Sequence, residues 1–136
     1  MISKPALTKD DAILILNAAE AEAVRNGWKV SLAVCDEGGH LLAFVRLPGA
    51  NIASTEIAQA KARTATLLKR ETKGVEEMIN QGRPAFLSAP SIDGLLEGGV
   101  PVLVGEHCLG GVGVSGVLAA QDAQVAKIGL AALQVA

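Results

Sequence analysis

Aromatic side chains are scarce in this 136-residue chain: Phe, Trp and Tyr together make up 2% of it, and Tyr is absent. Stacking platforms for nucleic-acid bases or sugar rings are therefore nearly missing. The net charge is −2, whereas a nucleic-acid surface normally carries a basic patch. We expect no nucleic-acid partner, and a core built from Ala, Val, Leu and Ile.

Cysteine and histidine are also rare, with two residues of each type. Cys35 and Cys108 lack CxxC spacing, which predicts buried free thiols. His40 and His107 lie too far apart in the sequence to indicate a structural zinc site, so we expect no metal. The chain also lacks a P-loop, a GxGxxG motif after a strand, an HExxH motif and a GxSxG motif, so none of these motif-defined classes is indicated.

Long apolar runs are missing, and none approaches the ~20 residues that a membrane-spanning helix needs. Residues 1–5 lead directly into a polar helix start and do not resemble a signal peptide. We therefore expect no membrane partner and a cytoplasmic location. Half of the residues are hydrophobic and 19% are charged, which predicts one globular domain over residues 1–136.

Periodicity and turn residues predict an α+β domain with helices packed on an antiparallel sheet. The first helix begins at an N-cap, Thr8, which is followed by Asp11 in a capping-box pattern. Its apolar residues cover both sides, which predicts burial on both sides and a subunit contact through Leu14, Ala18 and Ala21. The predicted helices cover residues 8–26, 54–70, 75–81 and 120–135. The predicted strands cover residues 29–35, 40–46 and 95–96 and the two arms of a hairpin over residues 98–116.

The hairpin over residues 98–116 has two Val/Leu-rich arms around the turn at Gly105 and Glu106. Its continuous apolar run, residues 102–104, is typical of a strand buried on both faces in the centre of a sheet. Glycines within its second arm indicate that something approaches the backbone closely. We favour a packed helix over a bound ligand, because helix packing needs no further assumption.

Lys61 is the most informative charge in the sequence. Ile57, Lys61, Thr64 and Leu68 are spaced 4, 3 and 4 residues apart and so share one helix face. This places Lys61 within an apolar stripe, whereas Arg63 lies with the polar residues, among which the pattern also places Thr66. Either Lys61 extends along the stripe into water, or it binds an anionic ligand or works at a lowered pKa.

Other isolated polar groups complete the set of candidate site residues. Glu20 lies within an apolar helix face and needs a partner or water. Arg46 ends a strand and suits an anion, and His40 has a useful pKa if it lines a cleft. The candidate ligand-binding residues are Glu20, Arg46, Lys61, Thr64, Ser115 and Asp122, and the candidate catalytic residues are His40 and Lys61.

Several motifs in fixed order make the chain resemble the GlcG/HbpS-like family, which includes the C-terminal domain of PduO. The motifs are Val34–Leu41 followed by Arg46, Lys61–Ala65, Gly98–Pro101, and Gly110–Gly116 followed by Gln121 and Asp122. The resemblance implies a profilin-like fold, in which a five-stranded antiparallel sheet lies between helix layers, and a homo-oligomer. It also implies haem binding in some relatives, and HbpS is described as haem-binding and haem-degrading.

The sequence departs from the haem-binding relatives at one point. The PduO-type domain is associated with a His haem ligand on its first helix, and the first helix here contains no His. Haem is the only cofactor that the resemblance suggests. Because the first helix lacks this His, no cofactor is indicated with certainty. Lys61 or Arg46 is suited to contact a haem propionate.

Three hypotheses follow, and the sequence alone does not decide whether the protein is an enzyme. The first is a small-molecule-binding protein whose pocket lies between the Lys61 helix and the sheet and holds an organic anion or haem. The second is a cofactor-independent enzyme acting on a small organic acid, with Lys61 or His40 as acid/base and Glu20 or Asp122 as its charge partner. The third is a structural oligomer without a ligand.

Overall fold

The computed structural model describes residues 1–133, which form four α-helices and one four-stranded antiparallel sheet. The helices are α1 (Lys9–Asn26), α2 (Ser54–Leu68), α3 (Thr72–Asn80) and α4 (Ala119–Ala131), and a short 3-10 helix covers Pro84–Ser88. The strands are β1 (Ser31–Asp36), β2 (Leu41–Arg46), β3 (Gly99–Val104) and β4 (His107–Ser115). The α+β class is confirmed. The end of the last predicted helix, residues 134–135, lies outside the described residues.

The strand order in the sheet is β2-β1-β4-β3, so the predicted count of five strands is wrong. Residues 95–96, which were predicted as a strand, lie in an irregular loop. Gly94 has a left-handed backbone with φ +59°, and its carbonyl accepts a hydrogen bond from Leu96 N across a tight turn. This turn prevents the extended conformation that a strand requires.

Only one strand of the hairpin over residues 98–116 lies in the centre of the sheet. Strand β4 pairs with a neighbour on both sides, whereas β3 is an edge strand. A register shift follows Val102, and the next side chain, Leu103, is 54% exposed. The prediction of a run buried on both faces is therefore wrong beyond Val102. An edge strand has only one neighbour, so its outer half stays open to water.

One face of the sheet packs against α1 and α4 and forms the main apolar core. This core combines Ile15 and Ala19 of α1 with Val125 of α4 and with valines and leucines of the strands. The predicted capping box at Thr8 is confirmed, because Thr8 Oγ1 accepts from Asp11 N and Asp11 Oδ2 accepts from Thr8 N. Leu14, on the outward side of α1, is 48% exposed in the single chain, so the predicted burial of that side by a subunit contact stays a prediction.

The opposite face of the sheet packs against α2 at very short range. A Cβ atom placed on Gly111 would collide with the carbonyl oxygen of Ala62, and one on Gly113 would collide with that of Ala58. The favoured interpretation of these glycines, a closely packed helix, is confirmed. Thr66, which was predicted on the polar side of α2, is instead buried, because its hydroxyl donates to Ala62 O and contacts Cys35 Sγ.

Candidate functional site

Lys61 forms a buried ion pair with Asp122 at the end of the sheet. Lys61 Nζ lies 3.2 Å from Asp122 Oδ2 and donates to the carbonyl oxygen of Val114 at 2.9 Å. Lys61 and Asp122 are both 2% exposed. The interpretation in which Lys61 extends into water is therefore wrong. Of the two predicted charge partners, Glu20 and Asp122, the structure pairs Lys61 with Asp122.

The ion pair joins the two helix layers. Lys61 projects from α2 and Asp122 from the first turn of α4, on opposite faces of the sheet. Asp122 Oδ1 also accepts from Val117 N at 3.2 Å, just before α4 begins. Gly98 covers the pair, since a Cβ atom there would lie 2.7 Å from Lys61 Nζ. The site is consequently closed, and Lys61 is part of the packing between layers.

Asp122 titrates abnormally in this environment. Burial raises the pKa of Asp122 from its ordinary value of 3.8 to about 6, against the opposing attraction of Lys61 and the hydrogen bond from Val117 N. Loss of hydration thus outweighs the ion pair. The charge of Asp122 therefore changes nearer to neutral pH than that of an ordinary aspartate.

Thr64 anchors a loop and does not face an open pocket. Its Oγ1 donates to Asp93 O at 2.6 Å and accepts from Asp93 N at 3.0 Å. At the other end of the same loop, Glu76 Oε1 accepts from Glu97 N at 3.0 Å. We call residues 93–97 the clamped loop, because these two side chains fix its ends against α2 and α3.

The remaining predicted site residues lie elsewhere in the fold. Glu20 is half-buried on α1, across the sheet from Lys61, and His40 is exposed at the β1–β2 turn, where its backbone N donates to Asp36 Oδ1. Arg46 ends the edge strand β2 opposite Ser31, and Ser115 pairs with Ser31 from the other side and follows Val114. The structure therefore unites Lys61 and Asp122, with Ser115 beside them. The catalytic and ligand-binding roles of all these residues stay predictions.

An open groove lies between α2 and the β1–β2 hairpin, and we call it the α2–hairpin groove. Its cavity volume is about 250 Å³. It is lined by Cys35, Gly39, Leu41, Gln59, Ala60, Ala62 and Arg63. Lys61 is not among these residues. The cation at the groove is Arg63, which the helix periodicity placed with the solvated residues.

Arg63 is held across the hairpin turn. A Cβ atom on Gly39 would lie 2.8 Å from Arg63 Cγ, so the absence of a side chain at Gly39 makes room for the arginine. Arg63 Nε donates to Ser91 O at 3.3 Å. Within residues 1–133, no carboxylate lies within 4.0 Å of the Arg63 guanidinium. The sequence signal for this arrangement is the pair of glycines at the hairpin turn, but the facing residue is not evident from spacing.

A second cavity contains an imidazole and a thiol. It has a volume of about 370 Å³, and its lining includes Lys4, Lys69, His107 and Cys108. Cys108 is half-buried, so the prediction of two buried thiols holds only for Cys35, where burial raises the pKa of the thiol.

Among the described residues, no three His, Cys, Asp or Glu side chains are arranged to hold a metal ion. Within residues 1–133, no helix is long and apolar enough to cross a membrane.

Comparison with known proteins identifies close relatives. The family model described as "Haem degrading protein HbpS-like" matches residues 7–131. The GlcG protein of Escherichia coli K12 is 52% identical over 115 residues, which cover 85% of each chain. A doubly substituted HbpS from Streptomyces reticuli has a TM-score of 0.91 and 31% identity, over 99% of this chain and 92% of that chain. A PduOC–haem complex has a TM-score of 0.87 and 26% identity, over 97% of this chain and 98% of that chain.

Proposed function

Because the chain belongs to the HbpS-like family, we propose that it is a small-molecule-binding protein whose ligand is a small organic anion. The binding site is the α2–hairpin groove, between the helix that carries Lys61 and the sheet. The observation that carries the proposal is the Arg63 guanidinium at this groove, which has no carboxylate partner within residues 1–133.

The chemistry of Arg63 suits a carboxylate ligand. Its Nε is occupied by Ser91 O, which leaves the two terminal nitrogens of the planar guanidinium to bind two carboxylate oxygens in parallel. The contact with Gly39 and the bond to Ser91 hold the side chain in place before a ligand arrives, which reduces the entropy lost on binding.

The rest of the groove does not oppose an anion. Burial raises the pKa of the Cys35 thiol, so the floor of the groove is uncharged at neutral pH. Gln59 holds its own helix through a bond from Nε2 to Thr55 O at 3.1 Å, and its side-chain oxygen and second N–H hydrogen remain for polar contacts. A volume of about 250 Å³ suits a compact acid with a small apolar group, which Leu41 would contact.

In this proposal, Lys61 and Asp122 support the site from behind and do not contact the ligand. They fix α2 to α4 at the end of the sheet, while Arg63 and Gln59 project from another side of α2. Arg46 lies at the end of β2 on the sheet face that packs against α2, and it adds positive charge for the approach of an anion.

The test compares benzoate with its neutral analogue benzamide by isothermal titration calorimetry. We expect saturable benzoate binding and much weaker benzamide binding. Arg63→Gln should weaken benzoate binding by ten- to a hundredfold, because a charge-assisted pair contributes roughly 1.5–3 kcal/mol. Arg70→Gln, two residues beyond the end of the same helix and outside the groove lining, is the control and should leave binding unchanged. Equal binding of benzoate and benzamide, or an unaffected Arg63→Gln variant, would refute the proposal.

Haem is the second candidate ligand, and the haem complex of the similar PduOC structure favours it. In this chain, the cavity that contains His107 offers an imidazole of the kind that ligates haem iron, and Lys69 suits a propionate, whereas Lys4 is already paired with Glu37 at 2.8 Å. Its apolar side chains are those of Ile2 and Leu67. These residues fit the iron and the polar edge of the group, and bound haem would supply iron redox chemistry.

A haemin titration followed by absorbance distinguishes this candidate from the first. If haem binds at this cavity, the Soret band shifts at one equivalent of haemin, and His107→Ala abolishes the shift. His40→Ala, at the exposed hairpin turn, is the control and should leave the shift unchanged. The absence of a Soret shift, or a shift that persists in His107→Ala, would contradict haem binding at this cavity.

We also propose that the protein forms a homo-oligomer, as the family resemblance implies. The outward side of α1 presents Ile13 and Leu14, which are 39% and 48% exposed, to the surroundings. Adjacent apolar side chains of this kind are typical of subunit contacts.

A further inference from the structure

A cavity beside α3 belongs to none of the sites discussed so far. It lies between α3, the 3-10 helix and the loop that begins at Ile92, and its volume is about 540 Å³. This value falls within the roughly 300–1,000 Å³ that is usual for small-molecule sites. It shares no lining residue with the α2–hairpin groove.

The walls of this cavity are mainly apolar. The apolar side chains are those of Ile79, Leu87, Ile92, Leu95 and Leu96. Leu87 is 65% exposed and Leu96 is 48% exposed, so two leucines at the rim remain in contact with water. Covering them with an apolar group would be favourable in proportion to the area removed from water.

The polar groups of the cavity are acidic or neutral. They are the carboxylates of Glu76 and Asp93 and the amide of Asn80, and the lining includes no Lys, Arg or His. Asp93 is held through its main chain by Thr64. Within residues 1–133, its carboxylate takes part in no hydrogen bond or ion pair. Asp93 is exposed and Glu76 is half-buried, so a ligand that covers these carboxylates is favoured if it carries positive charge.

The cavity is formed before a ligand binds. The clamped loop supplies one wall, and its ends are fixed by Thr64 and Glu76. Gly94 fits tightly against α2, since a Cβ atom there would lie 2.9 Å from Ala60 Cβ. A ligand therefore needs to order little of the protein, which favours affinity.

From these contacts we infer a second ligand site, which binds an amphipathic organic amine in its protonated form. The ammonium group donates hydrogen bonds to Asp93 and Glu76, and the alkyl or aryl group contacts the leucine and isoleucine walls. No aromatic ring lines the cavity, so the cation–π cage that recognises quaternary ammonium groups is missing. The site should therefore prefer an amine that has N–H donors.

The test uses three probes with the same tail: octylammonium, octyltrimethylammonium and octanoate. In calorimetric titrations of the full chain at neutral pH, we expect octylammonium to bind at one equivalent per chain. The other two probes should bind at least about tenfold more weakly, since one lacks N–H donors and the other carries the wrong charge. Equal affinity for octanoate, or no saturable binding of octylammonium, would overturn the inference.

Variants localise the binding. Asp93→Asn preserves the main-chain clamp and should weaken octylammonium binding about tenfold, while Glu77→Gln, on the exposed side of α3, should leave it unchanged. Thermal unfolding monitored by circular dichroism checks that both variants fold. Arg63→Gln should not affect octylammonium, so failure here and failure of the anion site are distinguishable. An unchanged affinity in Asp93→Asn would refute the site.

A second copy of the chain is the competing occupant of this cavity. In that case octylammonium would fail to bind to the assembled protein, and Leu96→Asn would dissociate the oligomer in sedimentation experiments. That pair of results would overturn the inference. Octylammonium binding to the assembled protein, lost in Asp93→Asn, would support it.

Discussion

Replacing Lys61 by Met removes the positive half of the buried ion pair but keeps most of the side-chain volume. Asp122 would then remain buried with Val117 N as its hydrogen-bond donor and without a cation. Removing one partner of a buried pair typically costs 3–5 kcal/mol of unfolding free energy. We expect a loss of about this size at pH 8, where the carboxylate is ionised.

The cost should depend strongly on pH. In the wild type, burial already raises the pKa of Asp122 to about 6, from 3.8, and loss of Lys61 removes a contribution that lowers this pKa. A carboxyl group whose folded pKa is raised contributes its stability below the unfolded pKa and loses it as pH rises through the folded pKa. The wild-type displacement of about 2 pH units corresponds to at most about 3 kcal/mol. At pH 5, Lys61→Met should therefore cost less than about 1.5 kcal/mol, which is the range of a volume-conserving substitution.

Urea unfolding at pH 5 and pH 8 measures both quantities. The double variant Lys61→Met with Asp122→Asn should recover most of the stability at pH 8, because Asn is neutral and keeps an oxygen for Val117 N. Lys127→Met is the exposed control, since Lys127 pairs with Glu71 at the surface and should contribute less than about 1 kcal/mol. An equal cost of Lys61→Met at both pH values would show that packing, and not charge, determines the effect.

Three further substitutions test other contacts. Gly113→Ala should destabilise the fold by roughly 1–3 kcal/mol in urea unfolding, because the new methyl group would collide with the Ala58 carbonyl; an unchanged midpoint would contradict the close packing of α2. Thr64→Val should cost about 1–3 kcal/mol and accelerate hydrogen exchange at Asp93, where the clamp is lost; unaltered exchange would argue against the clamp. Leu14→Glu should lower the mass measured by sedimentation if α1 forms a subunit contact, and an unchanged mass would exclude that contact.

Local signals in the sequence predicted local structure well. The capping box at Thr8 involves residues only three positions apart, so its formation does not depend on the rest of the fold. The glycines of β4 also predicted a close neighbour correctly, because a strand that lacks side chains leaves a space that must be filled. The family motifs led to the right fold class and family.

Contacts between distant parts of the chain were harder to predict. The periodicity of α2 identified Lys61 as unusual, but Asp122 lies 61 residues away, and only the packing of two layers selects it over Glu20. The same periodicity placed Arg63 on the solvent-exposed side of α2. Helix periodicity contains no information on the β1–β2 turn, which lies over that side of the helix. Residues 95–96 were predicted as a strand because two adjacent leucines are common in strands. The backbone conformation of this loop is instead set by the left-handed Gly94 and by the hydrogen bonds from Thr64 and Glu76.

The two faces of the sheet should differ in how much sequence change they accept. On the α1–α4 face, apolar side chains fill the space, so one aliphatic residue can replace another if its neighbours repack. On the α2 face, helix backbone lies almost directly on strand backbone at Gly111 and Gly113, and no side chain can shrink to admit a larger one. The distance between α2 and the sheet is therefore fixed by main-chain atoms. Variation in ligand preference among such proteins should arise from residues at the edges of α2, while its central contact stays the same.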